Sequence, residues 1–187
     1  IAEIGFEMYH KILDEAIQEL KEEEFKGLFE EEKERDFISF TQVDTDLEVL
    51  IPDEYVTSIA ERYNLYSTLS TLQTEADLLA FEQGLIDRFG PLPDAVKELA
   101  NTLRLQWLGK RIGFEKISLK KNVLRGYFIS NQQSPYFESE AFGKVLAFVQ
   151  TKPGACNLKE VKGVLRIAFE GVNDLKQAIY LLNELLG

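Results

Sequence analysis

The spacing of apolar residues changes at Gly113, and this change restricts the fold more than anything else in the sequence. Upstream, apolar side chains recur at three- and four-residue steps, the period of an amphipathic helix. Downstream they alternate with polar ones, the period of a half-buried strand. Helices with one apolar stripe and strands with one apolar face bury them by packing on each other. The expectation is an α+β fold: amphipathic helices packed on a mainly antiparallel sheet.

In the helical part, Ile4, Met8, Ile12, Ala16 and Leu20 step by four residues, which predicts a leading helix over 1–24. The charge-dense stretch that follows predicts an exposed acidic connector over 25–42. Residues 43–113 read as a strand and a three-helix group. Leu47, Val49 and Ile51 alternate up to Pro52, placing the strand near 47–51. One helix is expected over 57–70, turned inward on Ile59, Tyr63, Tyr66 and Leu69. A second is capped by Thr74 and runs on Leu78, Leu79, Leu85, Ile86 and Phe89 to Gly90. Pro91 and Pro93 break the chain, and a third covers 94–111 on Val96, Leu99, Ala100, Leu103 and Trp107.

Residues 114–187 read as two hairpin-helix units. The first turns at Lys121–Asn122 and ends in a helix near 136–149, with Phe142, Val145, Leu146 and Val149 inward. The second turns at Lys162–Gly163 and ends in a helix over 173–186, on Leu175, Ile179, Leu182 and Leu186. Both hairpins contain Val-Leu-Arg, 41 residues apart. Either a ββα unit is repeated or two hairpins of similar composition coincide.

Charge also divides the chain, a little earlier. Residues 1–98 carry 25 acidic and 8 basic side chains, a net of −17, whereas residues 99–187 carry 7 and 13, a net of +6. An acidic half of that size repels phosphate and suits a basic protein surface. The chain has no apolar run of bilayer length, and its first residues lack the pattern of a secretory signal, so a cytoplasmic location is expected. It opens on Ile1 inside a helical pattern, which suggests a piece of a longer protein.

The residues for chemistry are few. Cys156 is the single cysteine and His10 the single histidine, so a disulfide is excluded by count and a zinc site is not expected. There is no phosphate-binding glycine loop, and the Glu-rich run lies in the connector rather than in a buried setting that would tune a carboxylate. No catalytic residue, cofactor or metal is expected. A basic strip does stand out: Arg104, Lys110, Arg111, Lys116, Lys120, Lys121 and Arg125 fall within 22 residues, with Trp107 and Tyr127 among them. Interleaving of this kind can mark nucleic-acid contact. Against that reading, Trp107 occupies a core-facing helix position and no recognised nucleic-acid motif accompanies the strip.

The segments IGFEMYHKILDEAIQEL, LIPDEYV, ERYNLYSTLS and LIDRFGPLPD occur in that order, and they resemble the C-terminal domain of the bacterial transcription-repair coupling factor family over about residues 4–116. The resemblance implies a parent protein that is an ATP-dependent DNA translocase, displaces stalled RNA polymerase and recruits the repair protein UvrA. It implies that this domain is a non-catalytic regulator, which docks on the UvrB-like module of the same chain and masks the UvrA-binding surface until polymerase is engaged. DNA would be met through other domains. The family motif Glu-Leu-Ile-Asp-Arg-Phe-Gly carries acidic interface positions. Here it reads Gly84, Leu85, Ile86, Asp87, Arg88, Phe89, Gly90. Asp87 is the expected charged contact, with a local pair to Arg88 or a simple helix-surface charge as the plainer readings, while Gly84 stands where the family has glutamate. Glu82 lies on a different helical face and does not substitute. The competing expectation is an accessory nucleic-acid-binding domain that uses the strip 104–125.

Overall fold

The computed structural model describes residues 37–187. The leading helix, most of the acidic connector and His10 lie outside the described residues. Within them the chain runs β1 (Gln42–Thr45), α1 (Ile59–Thr71), α2 (Glu75–Phe89), α3 (Asp94–Ile112), β2 (Phe114–Lys120), β3 (Val123–Phe128), α4 (Glu140–Thr151), β4 (Asn157–Val161), β5 (Val164–Glu170) and α5 (Leu175–Leu186). The fold is α+β, as the change of period implies.

The helix limits follow from local chemistry. The Ser58 and Thr74 hydroxyls accept from the third backbone N–H beyond them and cap α1 and α2. Gly113 ends α3 in the left-handed region at φ 99°, and there the Tyr136 ring lies against it so closely that a Cβ would stand 2.2 Å from the ring. The Tyr136 hydroxyl donates to the Ile112 carbonyl, tying the same helix end. The helix expected from 136 starts later: Pro135–Glu138 forms a 3₁₀ turn, and the Ser139 side chain caps α4 behind it.

The five strands form one mixed sheet in the order β1-β2-β3-β5-β4, antiparallel except for the parallel pair β1–β2. The two hairpins turn where expected. Lys121–Asn122 and Lys162–Gly163 all take positive φ, the two-residue turn that matches strand twist. The strand expected at 47–51 is not formed, and β1 precedes it. The Leu47 N–H goes to the Thr45 hydroxyl and the Ile51 N–H to the Tyr66 hydroxyl, so side chains take donors that a ladder would need. Ile38 and Thr41, expected in the exposed connector, are buried, and Thr41 donates to the Phe114 carbonyl at 2.8 Å.

Two apolar cores result. One lies between the sheet and α4, α5 and the C-terminal half of α3, with Leu105, Leu108 and Ile112 in it. The other is enclosed by α1, α2 and the N-terminal half of α3, with Val96, Leu99, Ala100 and Leu103 in it and Trp107 half-buried at its edge. α3 thus serves both.

Several inward assignments need correction. On α1, Ile59 and Tyr63 are 76% and 60% exposed, and Leu65 joins Leu69 in the core. On α2, Leu78 and Leu85 are buried, but Leu79 and Ile86 are 53% and 39% exposed. On α4, Phe148 is buried beside Val145, and Leu146 faces out.

Candidate docking surface

The three interface residues expected from the sequence lie on α2. Its inner face carries Leu78 and Leu85, with Phe81 and Phe89 half-buried beside them. Its outer face carries Leu79, Gln83 and Ile86 at i, i+4 and i+7, one continuous stripe, with Asp87 along its flank. Gln83 Nε2 donates to Asp87 Oδ1 at 2.8 Å. The pair Asp87–Arg88 does not form. Arg88 Nη2 instead meets Glu61 Oε1 on α1 at 2.6 Å, and its guanidinium sits 4.8 Å from the centre of the Phe89 ring. Asp87 therefore has no ion-pair partner among the described residues. A Cβ on Gly84 would meet nothing within 4 Å, so the missing glutamate leaves open space.

Glu82 is engaged elsewhere. Arg104 on α3 meets Glu75 at 2.6 Å and Glu82 at 3.5 Å, and the hydrogen bond that Arg104 donates to Glu75 leads the causes that hold the guanidinium above its ordinary pKa. This pins the outer edge of α2 to α3. At the other end of α2, the Tyr55 hydroxyl donates to the Gly90 carbonyl at 2.8 Å and lies 3.2 Å from that of Leu85.

The basic strip is divided between elements. Arg104 is held by the helical group; Lys110 and Arg111 lie in the last turn of α3. Lys116 and Lys120 on β2 meet Asp44 at 3.4 Å and 2.6 Å. Lys121 is in the first hairpin turn, where its backbone N–H donates to Asp46, and Arg125 is on β3. Cys156 is half-buried, and burial raises its thiol pKa. No cluster of three metal-ligating side chains exists among the described residues. Nor is any described helix long and apolar enough to cross a membrane.

By its architecture the chain is a two-core α+β domain, in which a three-helix group is joined through one shared helix to a helix-backed mixed sheet. A crystal structure of the C-terminal domain of transcription-repair coupling factor has this fold, with a TM-score of 0.61 over 79% of this chain and 92% of that one, at 17% identity. The family model of the TRCF domain matches residues 45–139. The transcription-repair-coupling factor of Haemophilus influenzae is 33% identical over 142 residues, 69% of this chain and 12% of that protein. Those of Rickettsia bellii and Escherichia coli are 28% and 29% identical, over 85% and 61% of this chain. The chain belongs to the TRCF-domain family of transcription-repair coupling factors, in the DNA-repair proteins of that name, and spans 10–13% of the length of these relatives.

Proposed function

We propose that this domain is a non-catalytic regulator that docks through the outer face of α2 on the UvrB-like module of its own protein and masks the surface that receives UvrA. The parent would be an ATP-dependent DNA translocase of the cytoplasm, and engagement of stalled RNA polymerase would release the clamp. The carrying observation is the α2 stripe itself. Two large apolar residues, Leu79 and Ile86, stand exposed beside a carboxylate that has no ion-pair partner among the described residues, in a half-chain of net charge −17. Apolar anchors rimmed by charge are what a protein interface presents, and the negative excess fits a basic counterpart.

Tethering in one chain permits a modest interface. A local concentration in the millimolar range closes a clamp whose separate parts bind weakly. The closed form is then one of two states, and a partner that binds only the open form shifts the balance.

The test is UvrA binding by the parent protein carrying Asp87→Arg together with Ile86→Asp. Tighter UvrA binding at matched salt supports masking through α2. Binding equal to that of the unaltered protein sinks it.

A further inference from the structure

The outer face of the sheet, opposite the helices, is basic. Side chains alternate across a strand, so the register fixes which residues share that face. Lys116 on β2, Tyr127 on β3, Arg166 on β5 and Lys159 on β4 are successive cross-strand partners. At a strand spacing of about 4.8 Å they form a row roughly 14 Å long. Arg125 lies two residues before Tyr127 on the same face, diagonal to Arg166 at about 7–8 Å. Arg125 and Arg166 are the arginines of the two Val-Leu-Arg tripeptides. The pairing of Arg125 with Ala168 mirrors that of Tyr127 with Arg166 about the central pair Gly126–Ile167, so Tyr127 has one arginine directly across from it on β5 and the other at two residues' distance along its own strand.

These groups are unsatisfied. Arg125, Lys159 and Arg166 form no ion pair or side-chain hydrogen bond among the described residues, and Arg166 Nε is shielded from solvent without a partner. Only Lys116 is partly neutralised, by Asp44. Tyr127 is half-exposed, and among the described residues it has no stacked ring and no hydrogen bond for its hydroxyl. Unpaired cations around a free aromatic face match a strand of phosphates with an unstacked base, whereas an acidic protein surface would use the cations alone.

We infer that the open sheet face around Tyr127 is a binding site for single-stranded nucleic acid, with Arg125, Arg166 and Lys159 on phosphates and Tyr127 under a base. The site is separate from the α2 face and shares Arg125, Lys116 and Tyr127 with the basic strip in the sequence.

The probe is a fluorescein-labelled fifteen-residue oligothymidylate, titrated with the full 187-residue chain at 20–200 mM salt and read by fluorescence anisotropy. Binding at low salt is expected, with a log–log salt slope of about −2 for three phosphates. Tyr127→Ala should weaken it about tenfold with the slope unchanged. Arg125→Gln with Arg166→Gln should flatten the slope by about 1.4. Thermal melts of each variant confirm folding, and Lys176→Gln on α5 should bind as the parent does. Absence of binding at 20 mM salt, or binding indifferent to the two arginines, overturns the inference. So does competition by polyglutamate together with indifference to Tyr127→Ala, because that pattern marks an acidic protein partner.

Discussion

Gly84→Glu introduces the glutamate expected at this position from the resemblance, and the structure gives its effect in two separable parts. A Cβ at position 84 meets nothing within 4 Å, so the substitution brings no clash. Glycine in a helix interior is about 0.8–1 kcal/mol worse than alanine, and glutamate is close to alanine, so α2 should gain about 0.5–0.8 kcal/mol. Pairing of the new carboxylate with Arg88 at i+4 competes with the existing 2.6 Å contact to Glu61, and adds little. For a domain of this size the gain raises Tm by about 1–3 °C. Gly84→Gln should share it. The proposed docking is affected differently, because only glutamate supplies charge. A partly exposed ion pair is worth about 0.2–1 kcal/mol, so Kd for the UvrB-like module should fall by up to about fivefold for glutamate, and by much less for glutamine. Melts and calorimetric titration at low and high salt read both parts, with the glutamate advantage shrinking as salt rises. If both variants melt at or below the parent, position 84 is not open. If the two dock equally at low salt, the α2 face does not meet a cation there.

Gly113→Ala forces a Cβ into the Tyr136 ring, and it does so at a φ that costs alanine about 1 kcal/mol by itself. A loss of at least ~2 kcal/mol in urea unfolding is expected, and a loss under ~0.5 would contradict the close contact. Asp44 gives a pH signature. The hydrogen bond from Lys120, with Lys116 close by, holds its carboxyl below the ordinary value near 3.8. A depressed folded pKa stabilises above the unfolded pKa and is lost as pH falls through the folded one. Asp44→Asn should therefore melt below the parent at pH 6, with the gap closing as pH drops below about 4; a gap independent of pH would refute the pairing.

The sequence revealed those elements that local chemistry ends. Thr74 and Gly90 bound α2, Gly113 bounds α3, and both hairpin turns are written in two residues. It did not reveal β1, four residues whose partner strand lies some seventy residues away. Its single buried apolar residue, Val43, leaves no alternating pattern to read. Nor could period separate core from exposed apolar positions on α1 and α2. Ile59 and Leu79 look like core residues because an exposed apolar side chain at helical spacing has the same pattern as a buried one. Asp87 was proposed from its motif, whereas the Arg125–Tyr127–Arg166 cluster was not legible. It depends on register between β3 and β5, whose arginines are 41 residues apart in sequence, which a short-range pattern does not encode.

The shared helix α3 makes the domain hard to take apart. With nineteen residues it is about 28 Å long, and its buried positions run from Val96 to Ile112 without a turn left free to fray. Neither core can lose its packing while the other keeps α3 intact, so native-state hydrogen exchange in the middle of this helix should report one opening event for the whole fold. Force applied at α2 is passed along a stiff rod to the sheet rather than absorbed at a hinge. A clamp built in this way would release by lifting off as a body, not by unravelling.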